Sequence, residues 1–306
     1  MQMREPVIVD AVRTPVGRRG GQLKDWHPTD LLAHTLATLV ERTGIDPELL
    51  DDVIAGCVLQ NGEQAANIGR SALLGAGLPE SLPATTIDRQ CGSGQQAVHF
   101  AAQGVAAGVY DFAIACGVES MSRVNLGPLF QPGAPLGPWY GERALKRYDG
   151  GLCGQGPSAE IIIRKWGLTR EDLDAYSVRS HLRAAAAWER GAFDGQLVPL
   201  TVAGTDGQEV LMTRDEGIRA NPDPERIAQL SPVFAEDGAV TAGNASQMSD
   251  GAAALLIADR ATAIARIRSC SLPRSCQRPA RPSPWRTCSW TTSTASRSTR
   301  LSRASR

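Results

Sequence analysis

The chain of 306 residues is 42% hydrophobic and 21% charged, the balance of a globular protein long enough for one large or two ordinary domains. No apolar run approaches the ~20 residues that span a bilayer, and the opening MQMREPVIVDAVRTP lacks the apolar segment of a secretory signal, so a cytoplasmic protein without a membrane span is expected. The net charge of zero hides an asymmetry: Asp259 is the last acidic residue, and the eleven arginines after it balance a net −11 over residues 1–259.

In chain order, PVIVDAVRTP (6–15) reads as a strand ending in a turn, and DLLAHTLATLVERTG (30–44) has apolar residues at helical spacing with Gly44 as its stop. DDVIAGCVLQ (51–60) reads as a buried strand, NIGRSALLGAGLP (67–79) as a short helix and PATTID (83–88) as a third strand. GQQAVHFAAQGVAAG (94–108) is the next helix and DFAIACGVES (111–120) the next strand. Such alternation predicts a largely parallel sheet covered on both faces. From about Met121 to Leu230 the pattern changes to Gly/Pro-rich loops around 127–157 and helices at 158–167 and 169–191, an excursion from the sheet. GNASQMSDGAAALLIADRA (243–261) then returns to small residues, a turn and a buried apolar run. From about Ile264 the text is dominated by Arg, Ser, Pro and Thr and has no apolar period. By composition it reads as a disordered basic tail with affinity for RNA or acidic surfaces.

The seven cysteines, at 57, 91, 116, 153, 270, 276 and 288, form no CxxC pair, so reduced thiols are expected. Histidine occurs only at 27, 34, 99 and 181, and no His/Cys cluster predicts a metal site. Cys57 and Cys116 fall in apolar strands and read as core, and Cys153 falls in a Gly-rich loop. Cys91 is different, because it joins a strand directly to a helix. There the positive end of the helix dipole and unpaired N–H groups favour a thiolate. Gly92 and Gly94 let a substrate approach the main chain, whose N–H groups can hold an oxyanion. His99, eight residues further on, reads as a packing residue rather than a base, and Glu119 and Ser122 as fixing the exit of the loop.

DRQCGSGQQA, ACGVESMSRV and TAGNASQMSDGAAA, starting at 88, 115 and 241, together resemble the thiolases, the acyl-CoA C-acyltransferases. Smaller echoes are VDAVRTPVGRRGG, SAE at 158 and DEGIR at 215. The resemblance implies an α/β fold, the thiolase-like α/β/α/β/α sandwich, with the first half and its loop domain present and the second half missing. Its divisions would be residues 1–120 for the N-terminal α/β half, 121–240 for the loop domain, 241–263 for the return, and 264–306 for an aberrant tail. Cys91 would be the nucleophile, acylated by a 3-ketoacyl-CoA and relieved by a second CoA, with its own N–H in an oxyanion hole. Arg219 would meet the adenine or phosphate end of CoA, Ser246 would hydrogen-bond the pantetheine arm, and Phe234, Ala242 and Ala245 would line the tunnel. The family's pantetheine-contacting His-Met pair is replaced by Gly154 and Gln155. Acyl-CoA and CoA would be the partners, CoA being a substrate with no further cofactor. A homodimer or homotetramer is implied, with no nucleic acid, membrane or metal. NGEQAANI with CGSGQQA points towards fatty-acid and steroid side-chain degradation. GNASQMSDG favours a thiolase over a ketosynthase acting on carrier-protein thioesters.

The family's Asn-Glu-Ala-Phe, Gly-His-Pro and late Cys-x-Gly motifs do not occur in this sequence, and no histidine follows His181. Permitted codons for residues 285–303, read from the third base, give EDLLVDDIDRFEVNEAFA, which contains the first of these. The tail is therefore expected to be out-of-frame translation after a frameshift between about Ile264 and Arg268. The alternative reading of the chain is a catalytically defective CoA-binding remnant without the C-terminal His and Cys. The uncovered sheet–helix face expected of half a sandwich predicts poor solubility.

Overall fold

The computed structural model describes residues 4–124, 141–148, 153–204 and 206–267. The expected tail beyond Ile267, and much of the Gly/Pro-rich stretch around 127–157, lie outside the described residues.

One mixed sheet organises the rest. Strands β1 (Pro6–Arg13), β2 (Gly17–Arg18), β3 (Asp52–Gly56), β4 (Ala84–Ile87), β5 (Phe112–Ser120) and β8 (Ser249–Asp259) belong to it. Its order is β1-β8-β5-β3-β4, with β2 pairing the start of β8. β3 is parallel to β4 and to β5, as the alternation of strands and helices predicts, but β8 is antiparallel to both of its neighbours. Helical crossovers enforce parallel pairing. β8 follows the long excursion instead, and can enter the gap between β1 and β5 from the opposite end.

Helices α1 (Pro28–Thr43) and α2 (Ile68–Gly75) cover one face of the sheet and α3 (Ser93–Ala106) the other. Pro28 opens α1 after His27, whose ring accepts the Thr29 N–H. The expected stop at Gly44 closes it in the left-handed conformation, at φ 63°. Between them Leu31, Leu32, Leu36 and Leu39 are at most 1% exposed, the stripe a 3.6-residue period lays against a sheet. Strand alternation divides β5: Phe112, Ile114, Cys116 and Val118 join the α1/α2 core, while Ala113 and Ala115 meet α3. From α3 come Ala97, Ala101 and Val105, whose small side chains let the helix lie close to the strands. On its outer side His99 and Phe100 are exposed, which corrects the reading of His99 as a packing residue. The period that buries Ala97 and Ala101 turns position 99 outward.

The excursion between β5 and β8 holds helices α4 (Glu142–Arg147), α5 (Gln155–Trp166), α6 (Arg170–Glu189) and α7 (Pro224–Ala228), and a ladder of β6 (Leu200–Ala203) and β7 (Glu209–Met212). The ladder escapes sequence reasoning because its short strands lie outside the alternation of strands and helices within which β4, equally short, is read. Leu200, Val202 and Met212 nevertheless enter the main core. Trp26 Nε1 donates to the Thr201 carbonyl at 3.0 Å, and a His34 ring nitrogen lies 3.1 Å from that of Pro199. α6 begins with a reciprocal capping box between Thr169 and Asp172. After β8 the chain forms α8 (Arg260–Ile267). No helix among the described residues is long and apolar enough to cross a membrane.

Candidate active site

β4 ends at Ile87, and four residues later Cys91 stands exposed just ahead of α3. The connection is held by its own side chains. Asp88 Oδ1 accepts the Gln90 N–H at 2.6 Å, while Ser93 Oγ accepts from Arg89 N at 2.9 Å and donates to the Gln90 carbonyl at 2.6 Å. Gln90 is thereby kept at φ 47°, a left-handed conformation that costs a non-glycine residue energy. Strain of this kind directly before a candidate nucleophile is the type that surrounding bonds must enforce. Gly92 caps α3 without a side-chain bond; its own N–H and that of Ser93 turn back onto the Arg89 and Gln90 carbonyls, each at 3.0 Å, which leaves the N–H groups of Gly94 and Gln95 in the first turn to be satisfied from outside the helix. That provides a cradle for negative charge beside the sulfur.

Two glycines allow the start of α3 to rest on the sheet. A Cβ at Gly56, the last residue of β3, would overlap Ser93 and Gly94 and come 2.7 Å from the Ser93 carbonyl oxygen. A Cβ at Gly117 of β5 would lie 3.0 Å from the Gly56 carbonyl oxygen and 3.7 Å from Gly94 Cα. Their only signal in the sequence is a glycine beside a cysteine in each strand, at 56–57 and 116–117, which sequence reading assigned no role.

The excursion between β5 and β8 reaches the same place through α5. Gln155, the first residue of α5, points its side-chain Nε2 at Cys91 Sγ, 3.9 Å away. Gly156 follows, and any side chain there would collide with the ring of Phe234. Phe234, 46% exposed, therefore stacks on the α5 N-terminus next to the residue that touches Cys91. Glu160 of the SAE triplet is 3% exposed and accepts the Ala239 N–H at 3.0 Å and the Val240 N–H at 2.9 Å. It fixes the turn leading into TAGNAS. In that motif Asn244 is structural: its amide donates to Asp174 at 2.8 Å and to the Ala239 carbonyl at 3.0 Å, and its oxygen accepts from Thr241 N at 2.8 Å. Ala242, Ala245 and Ser246 are exposed around it.

DEGIR is anchored by its two acids. Asp215 receives Arg13 Nη1 at 2.8 Å, Arg13 Nη2 at 3.1 Å and the Val16 N–H at 2.7 Å. Glu216 receives the N–H groups of Arg18 and Gln22, each at 3.0 Å. The VRTPVGRRGG echo is thus the other half of a clamp. Gly217 leaves room for the carboxamide of Gln247, so the loop carrying Arg219 abuts the residue after Ser246. Arg219 is exposed, and its N–H donates to His181 Nδ1 at 3.3 Å. Burial first, and then the Arg219 charge, hold His181 below its ordinary value. On the same helix Tyr176, Arg179, Ser180 and Arg183 line one shallow depression.

The remaining candidates are structural. Cys57 and Cys116 are buried, and burial pushes both thiols up to about 12. Cys153 is exposed, with Sγ 3.0 Å from Ser158 Oγ. Glu119 accepts from Val58 N at 2.9 Å and from Gln64 Nε2 at 2.6 Å. Ser122 accepts from Gly20 N at 2.7 Å and donates to Asp250, which is 1% exposed. Both residues pin the end of β5 and the turn that follows it. Among the described residues there is no group of three or more His, Cys, Asp or Glu arranged for a metal.

Comparison with known proteins bears on this geometry. Residues 6–261 match the family model described as Thiolase, N-terminal domain. Over 260 residues the chain is 43% identical to a steroid 3-ketoacyl-CoA thiolase of Mycobacterium tuberculosis, covering 84% of this chain and 62% of the relative. Over 268 residues it is 40% identical to a 3-ketoacyl-CoA thiolase of Bacillus subtilis, covering 84% and 66%. The crystal structure of the Bacillus anthracis acetyl-CoA acetyltransferase superposes with a TM-score of 0.75 at 36% identity, over 87% of this chain and 68% of that one. The chain thus spans 62–66% of the length of these two curated relatives.

Proposed function

The chain belongs to the thiolase family, and on that premise we propose that Cys91 is the nucleophile of acyl transfer between a 3-ketoacyl-CoA and CoA. The observation that carries the proposal is the exposed Cys91 just ahead of α3, whose N-terminus has no side-chain cap, on a strained turn held by Asp88 and Ser93. In the first half-reaction the Cys91 thiolate bonds to the keto carbon, and main-chain N–H groups receive the oxyanion. On collapse the bond between that carbon and the neighbouring CH2 breaks. Its electron pair leaves with acetyl-CoA, which takes up a proton. In the second half-reaction the CoA thiol gives up a proton, its sulfur attacks the acyl-Cys91 carbonyl, and the Cys91 thiolate departs. Each half-reaction exchanges one thiolate or carbanion for another, and the covalent intermediate divides one difficult transfer into two easier ones.

For binding, the reading places Arg219 at the phosphate or adenine end of CoA, Ser246 on the pantetheine arm, and Phe234, Ala242 and Ala245 along the tunnel. Supporting this, Phe234 stacks on the helix whose first residue touches Cys91, and the Arg219 loop abuts the segment that holds Ser246. CoA enters as substrate, and the reaction requires no other cofactor. Similarity to a steroid 3-ketoacyl-CoA thiolase favours degradation of fatty acids or steroid side chains over condensation.

Both half-reactions also need proton transfer, and the Gly-His-Pro and Cys-x-Gly motifs that would supply it are absent from this sequence. A second reading is that CoA esters bind to these 306 residues and Cys91 is acylated without efficient turnover. The test is incubation with acetoacetyl-CoA, followed by peptide mass analysis and a thiolysis assay. Acetylation of the Cys91 peptide that disappears in Cys91→Ser supports the nucleophile. Sustained CoA-dependent turnover selects the first reading over the second, and no acylation at Cys91 overturns both.

A further inference from the structure

Gln155 stands where the resemblance leads one to expect a pantetheine contact, yet its amide is directed at sulfur. The nucleophile therefore receives a donor from the loop domain as well as the main-chain cradle at the start of α3. Three features aim it. Gln155 opens α5 after Gly154, which provides no side-chain cap, and among the described residues Cys91 is the partner of its amide. Gly156 beside it is covered by the Phe234 ring, which sets the height of the first turn. Glu160, one turn later, ties α5 to the main chain at 239–240. Gln155 is itself exposed, so its amide is not needed to complete a buried network.

We propose that Gln155 is a positioning residue for Cys91: its carboxamide N–H donates to Sγ, orients the sulfur towards the start of α3 and favours its charged form. The chemistry gives the contact a direction. An amide N–H bonds far better to a thiolate than to a thioester sulfur, so it supports Cys91 as the attacking group and again as the group released when CoA takes the acyl chain. The inference rests on Cys91 being the working nucleophile, but its test does not require turnover.

The experiment is the pH dependence of iodoacetamide alkylation in the full chain, resolved by peptide mass analysis so that Cys91 and Cys153 are followed separately. Thiolate is the reacting species, so losing the donor should move the Cys91 profile to higher pH in Gln155→Met. Alkylation near pH 7 should slow by about three- to tenfold, tenfold being one pH unit of thiolate fraction. Gln155→Glu keeps the shape but brings a carboxylate to the sulfur, and should move the profile further in the same direction. Cys153, bonded to Ser158 instead, serves as the internal reference for the uncharged Gln155→Met and should keep its rate there. A Gln155→Glu profile that overlays the wild type overturns the proposal, as does a folded Gln155→Met whose profile is unmoved. Shifted profiles in a chain without thiolysis would leave the proposal standing and remove the turnover reading, whereas unmoved profiles in a chain that turns over would remove the proposal alone.

Discussion

Adding one methyl group at Gly56 tests whether the first turn of α3, and with it Cys91, is placed by close contact with the sheet. In Gly56→Ala the new carbon would lie 2.7 Å from the Ser93 carbonyl oxygen and nearer still to Ser93 C and Gly94 N, whereas ordinary contact begins at 3.4 Å. All three obstructing atoms are main chain, so no rotamer change relieves the clash, and the start of the helix must lift by roughly 1 Å. A gap of that size forfeits about a quarter to a half of the dispersion attraction across it. The side chains that lose contact are those of Ala97 and, further along, Ala101, against Ile54, Ala113 and Ala115. Overpacking typically costs about 1–3 kcal/mol, and unyielding main-chain atoms put Gly56→Ala near ~3 kcal/mol. Gly94→Ala is the matched control. Nothing lies within 4 Å of a Cβ there, and a helical Gly→Ala change should stabilise by about 0.5–1 kcal/mol. Urea unfolding followed by circular dichroism measures both, and alkylation of Cys91 reports its placement. A Gly56→Ala loss below ~1 kcal/mol with an unchanged Cys91 alkylation rate would refute the argument.

The other expectations concern how the loop domain is tied down. Glu160 Oε1 accepts from both Ala239 N and Val240 N, and Oε2 from Ala239 N at 3.0 Å. Glu160→Gln keeps the first oxygen but sets an amide donor against the Ala239 N–H in place of the second, so thermal unfolding should show a loss of about 1–3 kcal/mol; an unchanged melting temperature would contradict it. Asp215→Asn removes the charge facing Arg13, a pair in which the side chains are 20% and 13% exposed, and should cost about 2 kcal/mol while raising proteolysis between β7 and α7. His181 is held below its ordinary value of 6.5 by burial and by Arg219, so the native state prefers the neutral ring. Its contribution to stability is fully present above pH 6.5 and is lost as pH falls through the lowered native value. His181→Asn keeps an acceptor for the Arg219 N–H without titrating, and its stability relative to wild type should rise as pH falls from 7 to 5; a constant difference would show that His181 does not titrate between the folded and unfolded states.

Much of the architecture was legible because burial imposes periods on sequence. The spacing of Leu31, Leu32, Leu36 and Leu39 fixed α1, the run Phe112–Ser120 fixed β5, and Gly44 marked a left-handed cap that few other residues adopt. The position of Cys91 between a β-branched stretch and an Ala-rich one was legible for the same reason. β6 and β7 were not, since they are short and stand outside the strand–helix alternation that exposed β4, and the reversed direction of β8 depends on where a long excursion re-enters the sheet.

Most of the main-sheet strands and their helices, the cysteine between β4 and α3 and the three ordered motifs that mark the family could be read without coordinates, because each is local in the chain. Tertiary structure decided what those motifs do to one another. Asp215 clamps Arg13 from 202 residues away, Glu160 holds the main chain 79 and 80 residues on, and Gln155 meets Cys91 across 64. Such contacts leave no periodic trace in sequence, because each depends on one distance fixed only when α3, α5 and the sheet have packed.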